Sequence, residues 1–249
     1  MSAPHEAAGA PFDQGAAQGI ALAPQIGAAL RELRARYGPL AWYGARRGRP
    51  LQRFLPQLHE RLRGLAAGAG VGVSSLELVE SLERVAGVGS AKGVTLEARL
   101  DLPEHLTGQL ALRVSRPDAV GFASVELVLA SGPGCLAGVN ERGLAVVVLE
   151  ERGVKGPSLR SYAQDLLLRA ESLEVATAHL RMRASLAGGS GALLALDRGG
   201  SGLRLALDVG RLSSEPLVHG GAPLSSTVSL DCEVCALAWG EQSASVASA

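Results

Sequence analysis

Aromatic residues are nearly missing from this sequence, at 3%. A core, if one forms, must therefore be built from Leu, Val and Ala. Net charge is missing too, because 24 Lys+Arg balance 24 Asp+Glu. That removes the electrostatic ground for binding nucleic acid or an anionic membrane. Cysteines number three, an odd count that argues against a disulfide framework. Cys232 and Cys235 make one C-x-x-C, but no second pair completes a zinc site. In a strand these two would point to opposite faces. Neither a metal nor a cofactor is implied. No apolar run reaches the roughly 18 uninterrupted residues of a membrane span. No basic segment followed by an apolar core marks a secretory signal. The expected location is the cytoplasm. What is present is a 47% share of hydrophobic residues over 249 positions. A chain of that size buries roughly 70–75% of its unfolded surface without staples.

The pattern changes character partway along. Phe12 to Tyr37 has Ile20, Leu22, Ile26, Leu30 and Leu33 near a 3.6 period, which predicts a helix. "GARRGRP" at 44–50 reads as a basic loop. "LQRFLPQLHERLRGLAAGAG" predicts a second helix, started or kinked at Pro56 and closed by Gly68 and Gly70. "VSSLELVESLERVAG" predicts a third, capped by Ser74 or Ser75. After Gly89 come strand-like segments: "GVTLEARLDL", "GQLALRVSR" and "GFASVELVLAS". "GCLAGVNERGLAVVVLEE" reads as strand, turn and strand, with the turn at Asn140–Gly143. Two helices follow in "SLRSYAQDLLLRA" and "SLEVATAHLRMRA", then a hairpin around Gly199–Gly200 and closing strands in "STVSLDCEVCALAWG". Helices, many antiparallel strands, two helices and more strands do not make the regular alternation of a parallel sheet. The fold class expected is α+β. The organisation expected is a mobile start at 1–8, one domain over 9–240 and a small-residue tail at 241–249. Within the domain, 9–89 is a helical segment and 90–240 the sheet core.

Candidate chemistry centres on "VAGVGSAKGVTL", residues 85–96. Its glycines suggest a phosphate cradle, but the spacing is not G-x-G-x-x-G, and Lys92 does not follow a glycine as a Walker loop requires. The stretch also runs from helix to strand, whereas those loops run from strand to helix. His5, His59, His105, His179 and His219 show no metal-ligand spacing, and no G-x-S-x-G elbow supports a serine triad.

Three segments carry a resemblance: "GAPFDQGAAQGIALAPQIGAAL", "RFLPQLHERLRGLAAGAGVGVSSLELVES" and "GVNERGLAVVVLE". They resemble the penicillin-acyltransferase-like family of N-terminal-nucleophile (Ntn) hydrolases, which includes isopenicillin N acyltransferase. The most specific pieces are "LRGLAAGAGV" and "GVNERGLAV". The later helix pair and the closing strands are similar as well. The resemblance implies a four-layer αββα sandwich with antiparallel sheets. It also implies a precursor that cuts itself before a cysteine, usually after a glycine. The freed residue is then nucleophile and base together. An α-amino group has a pKa near 7.7–8.0, roughly matched to neutral pH, which a peptide nitrogen is not.

On this chain the resemblance places the junction at Gly89–Ser90, with Ser90 where relatives have cysteine. Asp101 falls where a family carboxylate orients the new amine; an exposed carboxylate at a strand end is the competing reading. Ala98 stands at the family's arginine position. Leu149 or Glu150 stands where relatives carry an oxyanion asparagine, and Asn140 is a turn former or oxyanion donor. Loss of one such donor costs about 10²–10³ in rate. At His219–Gly221 only the histidine of a His-Thr-Asn run remains. Two functions are therefore expected. One is a self-cleaving amidohydrolase or acyltransferase on a small linear amide or acyl substrate, with Ser90 as nucleophile. The other, favoured by four departures at one site, is a non-catalytic relative with a binding or assembly role. A homo-oligomer is also consistent with the expected sheet edges.

Overall fold

A computed structural model of the protein describes the backbone of residues 4–44, 50–82, 86–92, 95–102, 106, 108–118, 121–151, 156–187, 189–208 and 211–217. The side chains of 39–44, 50, 82, 88, 90–92, 95, 97, 99, 101, 150, 186 and 187 lie outside the description. The expected closing strands over 226–240, the Cys232/Cys235 pair, His105, His219 and the tail from Glu241 also lie outside the described residues.

The elements run β1 (His5–Gly9), α1 (Pro11–Ala21), α2 (Ala23–Gly44), α3 (Pro50–Phe54), α4 (Pro56–Ala69), α5 (Val73–Leu82), β2 (Ala86–Lys92), β3 (Thr95–Asp101), β4 (Leu110–Pro117), β5 (Ser124–Leu129), β6 (Ala137–Asn140), β7 (Ala145–Glu151), α6 (Leu159–Arg169), α7 (Leu173–Ala187), β8 (Gly191–Leu196), β9 (Gly202–Asp208) and β10 (Arg211–Pro216). The ten strands join one sheet, in the order β1-β4-β5-β6-β7-β8-β9-β10, with β2 and β3 branching from β7. All pairs are antiparallel except β1 with β4, which is parallel.

Several expectations change. His5–Gly9 is a strand aligned with Arg113–Pro117 and not a mobile start. The long first helix is two helices that meet at Leu22, and the second is broken at Gly38. Pro56 opens α4, where a missing N–H costs nothing, and Gly70 closes it in the left-handed conformation. The third helix begins at Val73, so Ser74 and Ser75 sit in its first turn and not before it. That helix stops at Leu82, and Ala86–Lys92, expected to be helix end and loop, is strand. Arg211–Pro216 adds an edge strand that the pattern did not reveal, because its residues are almost all exposed and polar.

Strand alternation sorts the core into two clusters. Ala111, Val128, Val146, Val148, Leu193, Ala195, Leu205 and Leu207 face a helical layer that includes Ile26, Leu58, Leu62, Leu65, Tyr162, Leu166 and Leu180. The intervening residues Leu112, Leu127, Leu129, Val147, Leu149 and Leu194 face the other way. There they meet Leu96, Ala98 and Leu100 of β3, with Leu102 and Leu106. The described architecture is thus mixed α and β: helices on one face of a large sheet and a two-stranded hairpin on the other. No residue of α1–α7 contributes to the hairpin-side cluster, in which Leu106 is a helical residue outside those elements. The outer helical layer of the expected four-layer sandwich is not formed by the described residues.

Helices α1 and α4 pack backbone to backbone. A methyl group added to Gly15 would lie 1.9 Å from the Arg61 carbonyl oxygen, and one on Gly64 would lie 1.9 Å from that of Phe12. Gly19 and Gly68 repeat the contact one turn on, at 2.4 and 2.3 Å. Only glycine permits this approach, so "GAAQG" and "GLAAG" are the two halves of one helix contact. Ala at Gly64 would force the helices apart, an overpacking worth about 1–3 kcal/mol. Urea titration should show Gly64→Ala destabilised by about that amount. Gly108→Ala, where nothing lies within 4 Å of the added methyl, should change stability by less than about 0.5 kcal/mol.

Candidate functional site

The expected junction lies within β2. Gly89 pairs with Ala98 and Ser90 with Glu97, in a ladder that runs without a register break from Ala86↔Asp101 to Lys92↔Thr95. Gly89 is not among the glycines with positive φ. The Gly89–Ser90 peptide is therefore extended and paired to β3. Asp101 lies four pairs away, opposite Ala86. Ala86 is also the residue that pairs β2 to β7, opposite Glu150. At about 3.3 Å per residue, Ser90 stands about 13 Å along the strand from the point where Asp101 and Glu150 come together. The side chains of Ser90, Asp101 and Glu150 lie outside the description, so these are statements of register. The structure brings Asp101 and Glu150 to one place, and the residue it brings there with them is Ala86, which the motif reading did not single out. A register shift between Val148 and Glu150 marks an irregularity in β7 at the same place.

Asn140 is fully committed to its turn. Its amide nitrogen donates to the carbonyls of Leu167 at 2.9 Å and Ala170 at 2.8 Å. Its amide oxygen accepts from the N–H groups of Arg142 at 3.1 Å and Leu144 at 3.0 Å. Both hydrogens and both lone pairs are used, so no N–H is left for an oxyanion. Gly143 completes the turn with φ of 84°. The conspicuous asparagine of "GVNERGL" thus ties the β6–β7 turn to the end of α6.

The largest polar constellation was not visible as a motif. Arg113 is fully buried in the middle of β4. Its Nε donates to Glu126 of β5 at 2.6 Å, one Nη to Gln18 of α1 at 2.5 Å, and the other to Gln164 of α6 at 2.5 Å and the Pro133 carbonyl at 3.2 Å. Gln164 donates on to Glu126 at 2.7 Å, and Ser124 donates to the same carboxylate at 2.5 Å. Gln18 donates to the carbonyls of Ala130 and Gly132, each at 3.1 Å. Burial alone would raise the Glu126 pKa, but Arg113, Arg61 and the bonds from Ser124 and Gln164 outweigh it and hold it below the usual carboxylate range. The one sequence signal was alternation. Arg113 and Ser115 share the inner face of β4 with Ala111, and Glu126 and Ser124 share the inner face of β5 with Val128.

Two smaller clusters brace the helices. Glu80 of α5 accepts from the hydroxyls of Ser158, which caps α6, and of Ser161 at 3.1 Å. Arg160 lies 3.0 Å from Glu151 and 3.7 Å from Glu80. Asp165 of α6 meets His179 of α7 at 2.6 Å and Arg169 at 2.9 Å. Burial would raise the Asp165 pKa; the His179 hydrogen bond and the cations around it bring it below the ordinary value instead. His59 faces Glu77 at 3.8 Å. Neither His59 nor His179 hydrogen-bonds a described serine, threonine or cysteine, so no nucleophile–base pair forms there. Cys135 is buried, and burial pushes its thiol well above the ordinary value, with Glu126 adding to the rise. Among the described residues no group of three or more metal-ligating side chains converges. A shallow, mostly apolar depression of about 330 Å³ is lined by Ala10, Pro11, Phe12, Pro56, Gln57 and Glu60. No single described helix is long and apolar enough to cross a membrane.

No family model and no curated protein matches the chain. Among solved structures, it is similar to a penicillin V acylase from Agrobacterium tumefaciens, with 16% identity and a TM-score of 0.31. The match covers 64% of this chain and 48% of the acylase, so the chain spans about half of that protein's length.

Removing one partner of the buried pair leaves a bare charge. Arg113→Met should lower unfolding free energy by about 3–5 kcal/mol, and Arg113→Met with Glu126→Gln should recover much of that loss. Denaturant titration of the single and double variants measures both. The pH response has a definite sign. Burial and the nearby Arg113 lower the His5 pKa from 6.5 to about 4. The folded state thus favours neutral His5, and its contribution is complete above pH 6.5 and lost as pH falls toward 4. Glu126 and Asp165 are also depressed, so their contributions are lost only below their ordinary carboxylate pKa values. Stability should therefore begin to fall near pH 6.5, and His5→Gln should flatten that first part of the acid curve.

Proposed function

We propose that this chain is a divergent, non-cleaving relative of the penicillin-acyltransferase-like Ntn hydrolases, one that keeps a scaffold for binding or assembly and does not turn over amides. The observation that carries this reading is the convergence of Asp101 and Glu150 on Ala86. An N-terminal nucleophile must offer a side-chain nucleophile and a free amine at one residue. Ala86 has no nucleophile. Ser90 has a hydroxyl but lies about 13 Å down an extended ladder from that point. Self-attack at Gly89–Ser90 would require the serine oxygen to approach the preceding carbonyl. A paired, extended strand holds the backbone away from the bent geometry that this needs, and leaving it would sacrifice ladder bonds to β3.

The remaining departures point the same way. By the resemblance, Leu149 or Glu150 stands where relatives carry an oxyanion donor. A carboxylate about 4 Å from a developing oxyanion would oppose it by roughly 4 kcal/mol at an effective dielectric near 20. Asn140 has no free N–H. Active-site groups act as a unit, so several such losses together leave little rate. The proposed ligand is a small amide or acyl compound, held without chemistry.

Intact-mass measurement on purified protein tests the reading. The expected result is one uncut chain of 249 residues after long incubation, with Ser90→Ala giving the same pattern and the same stability. Two fragments divided between Gly89 and Ser90, abolished by Ser90→Ala, would sink the proposal and restore the self-cleaving amidohydrolase.

A further inference from the structure

The sheet ends at β10, and among the described residues no strand pairs with its outer edge. Its residues are exposed except Leu212, which packs against the helical-face core. The register fixes which backbone groups face outward. Leu217 donates its N–H to the Gly202 carbonyl at 2.9 Å, so these two form a hydrogen-bonded pair. Such pairs alternate along an antiparallel ladder. Arg211, Ser213 and Glu215 therefore turn their N–H and C=O groups to Asp208, Ala206 and Arg204 of β9. On the far side of β9, Asp197 donates to the Ser201 carbonyl at 2.9 Å, which turns the odd-numbered residues to β8 and leaves the even-numbered ones for β10. Both ladders agree that Leu212 and Ser214 hold their backbone groups outward. Pro216 also faces outward but has no N–H to offer. Arg211, Ser213 and Glu215 share one face with Asp208, Ala206 and Arg204. On that face Glu215 lies 3.8 Å from Arg204.

We infer that β10 is a docking edge for a second copy of this chain, paired antiparallel about a two-fold axis at Ser213. That register sets Leu212 of each copy opposite Ser214 of the other. The outward groups then exchange hydrogen bonds, two per pair, and none is wasted. The same register sets Arg211 of each copy opposite Glu215 of the other, at the closer, non-hydrogen-bonded positions. Across the seam the charges run Asp208, Arg211, Glu215, Arg204, alternating in sign, and the two-fold repeats the row in reverse. An axis at Leu212 or Ser214 would also match outward groups, but it would set Arg211 or Glu215 opposite Ser213. The charges thus choose the register. Strands that guard a sheet edge carry charges or a proline that defeat pairing. Here the two charges are opposite in sign and complement their own copies, and Pro216 lies beyond the paired positions. β10 lies three strands from β7, where the hairpin joins, so this contact is independent of whether the chain cuts itself.

Sedimentation equilibrium on the whole protein over a concentration series tests it. Edge pairing buries little area, so the expected result is a weak, reversible monomer–dimer equilibrium that weakens as salt is raised. Arg211→Glu and Glu215→Arg each set like charges face to face and should raise the dimer Kd about tenfold or more. Mixed together, the two variants should associate, because every charged position at the seam then meets its opposite. Ser214→Pro removes an N–H that β9 does not use, so it should abolish the dimer and leave the circular dichroism of the fold unchanged. A wild-type protein that stays monomeric at every concentration, as it would if another segment covered β10, would overturn the inference. So would a dimer indifferent to Ser214→Pro, or a mixture of the charge variants that associates no more than either alone.

Discussion

The Arg113 guanidinium sits where four parts of the chain meet. Through its three nitrogens it joins β5 at Glu126, α1 at Gln18, α6 at Gln164 and the buried loop at Pro133. The ion pair with Glu126 is wholly desolvated, so each partner is costly without the other. That dependence makes the arrangement all-or-none. The sheet, the first helix and the sixth must be in place together for either charge to be tolerated. Gln18 extends the constraint to the loop over 130–135, whose backbone is buried and needs its carbonyls satisfied. With Arg113 anchoring Pro133 and Gln18 anchoring Ala130 and Gly132, the loop has partners it could not obtain from a ladder.

The glycine contact between α1 and α4 is what lets Gln18 reach that far. Side chains of ordinary size at Gly15, Gly19, Gly64 and Gly68 would hold the helices apart. Close packing sets α1 and α4 side by side on the sheet, so that Gln18 and Arg61 both point into it. Arg61 comes down beside Arg113, while Glu126 alone opposes the pair. The polar interior is thus a by-product of tight helix packing as much as of charge pairing.

On the opposite face the hairpin of β2 and β3 covers the sheet with Leu96, Ala98 and Leu100. Its register is what relocates the functional question. A motif reading aligns glycine with glycine and chooses Ser90. The ladder instead places Ala86 beside both Asp101 and Glu150. A hairpin is an exact ruler in pairs of residues, so a displacement of four positions moves a nucleophile by more than the length of any side chain. Catalysis requires groups held within a fraction of an ångström. The proposal of a non-catalytic scaffold follows from that mismatch of scale.

By itself, the sequence determined the local features whose causes are local. Pro56 and Gly70 mark the ends of α4 because φ restrictions act residue by residue. The Asn140–Gly143 turn and the hairpin at Gly200 follow from turn chemistry, and the helices after Ser158 and Ser172 follow from capping and periodicity. The alternation of Arg113 and Ser115 with apolar neighbours was legible, but its meaning was not. Which charge meets which, which hydrogens of Asn140 are already used, and which residue of β2 lies opposite Asp101 and Glu150 depend on pairing between segments distant along the chain. Only the tertiary structure decided those, because burial in a low-dielectric interior selects the partners, and strand register selects the neighbours. Neither leaves a mark in the local pattern of residues.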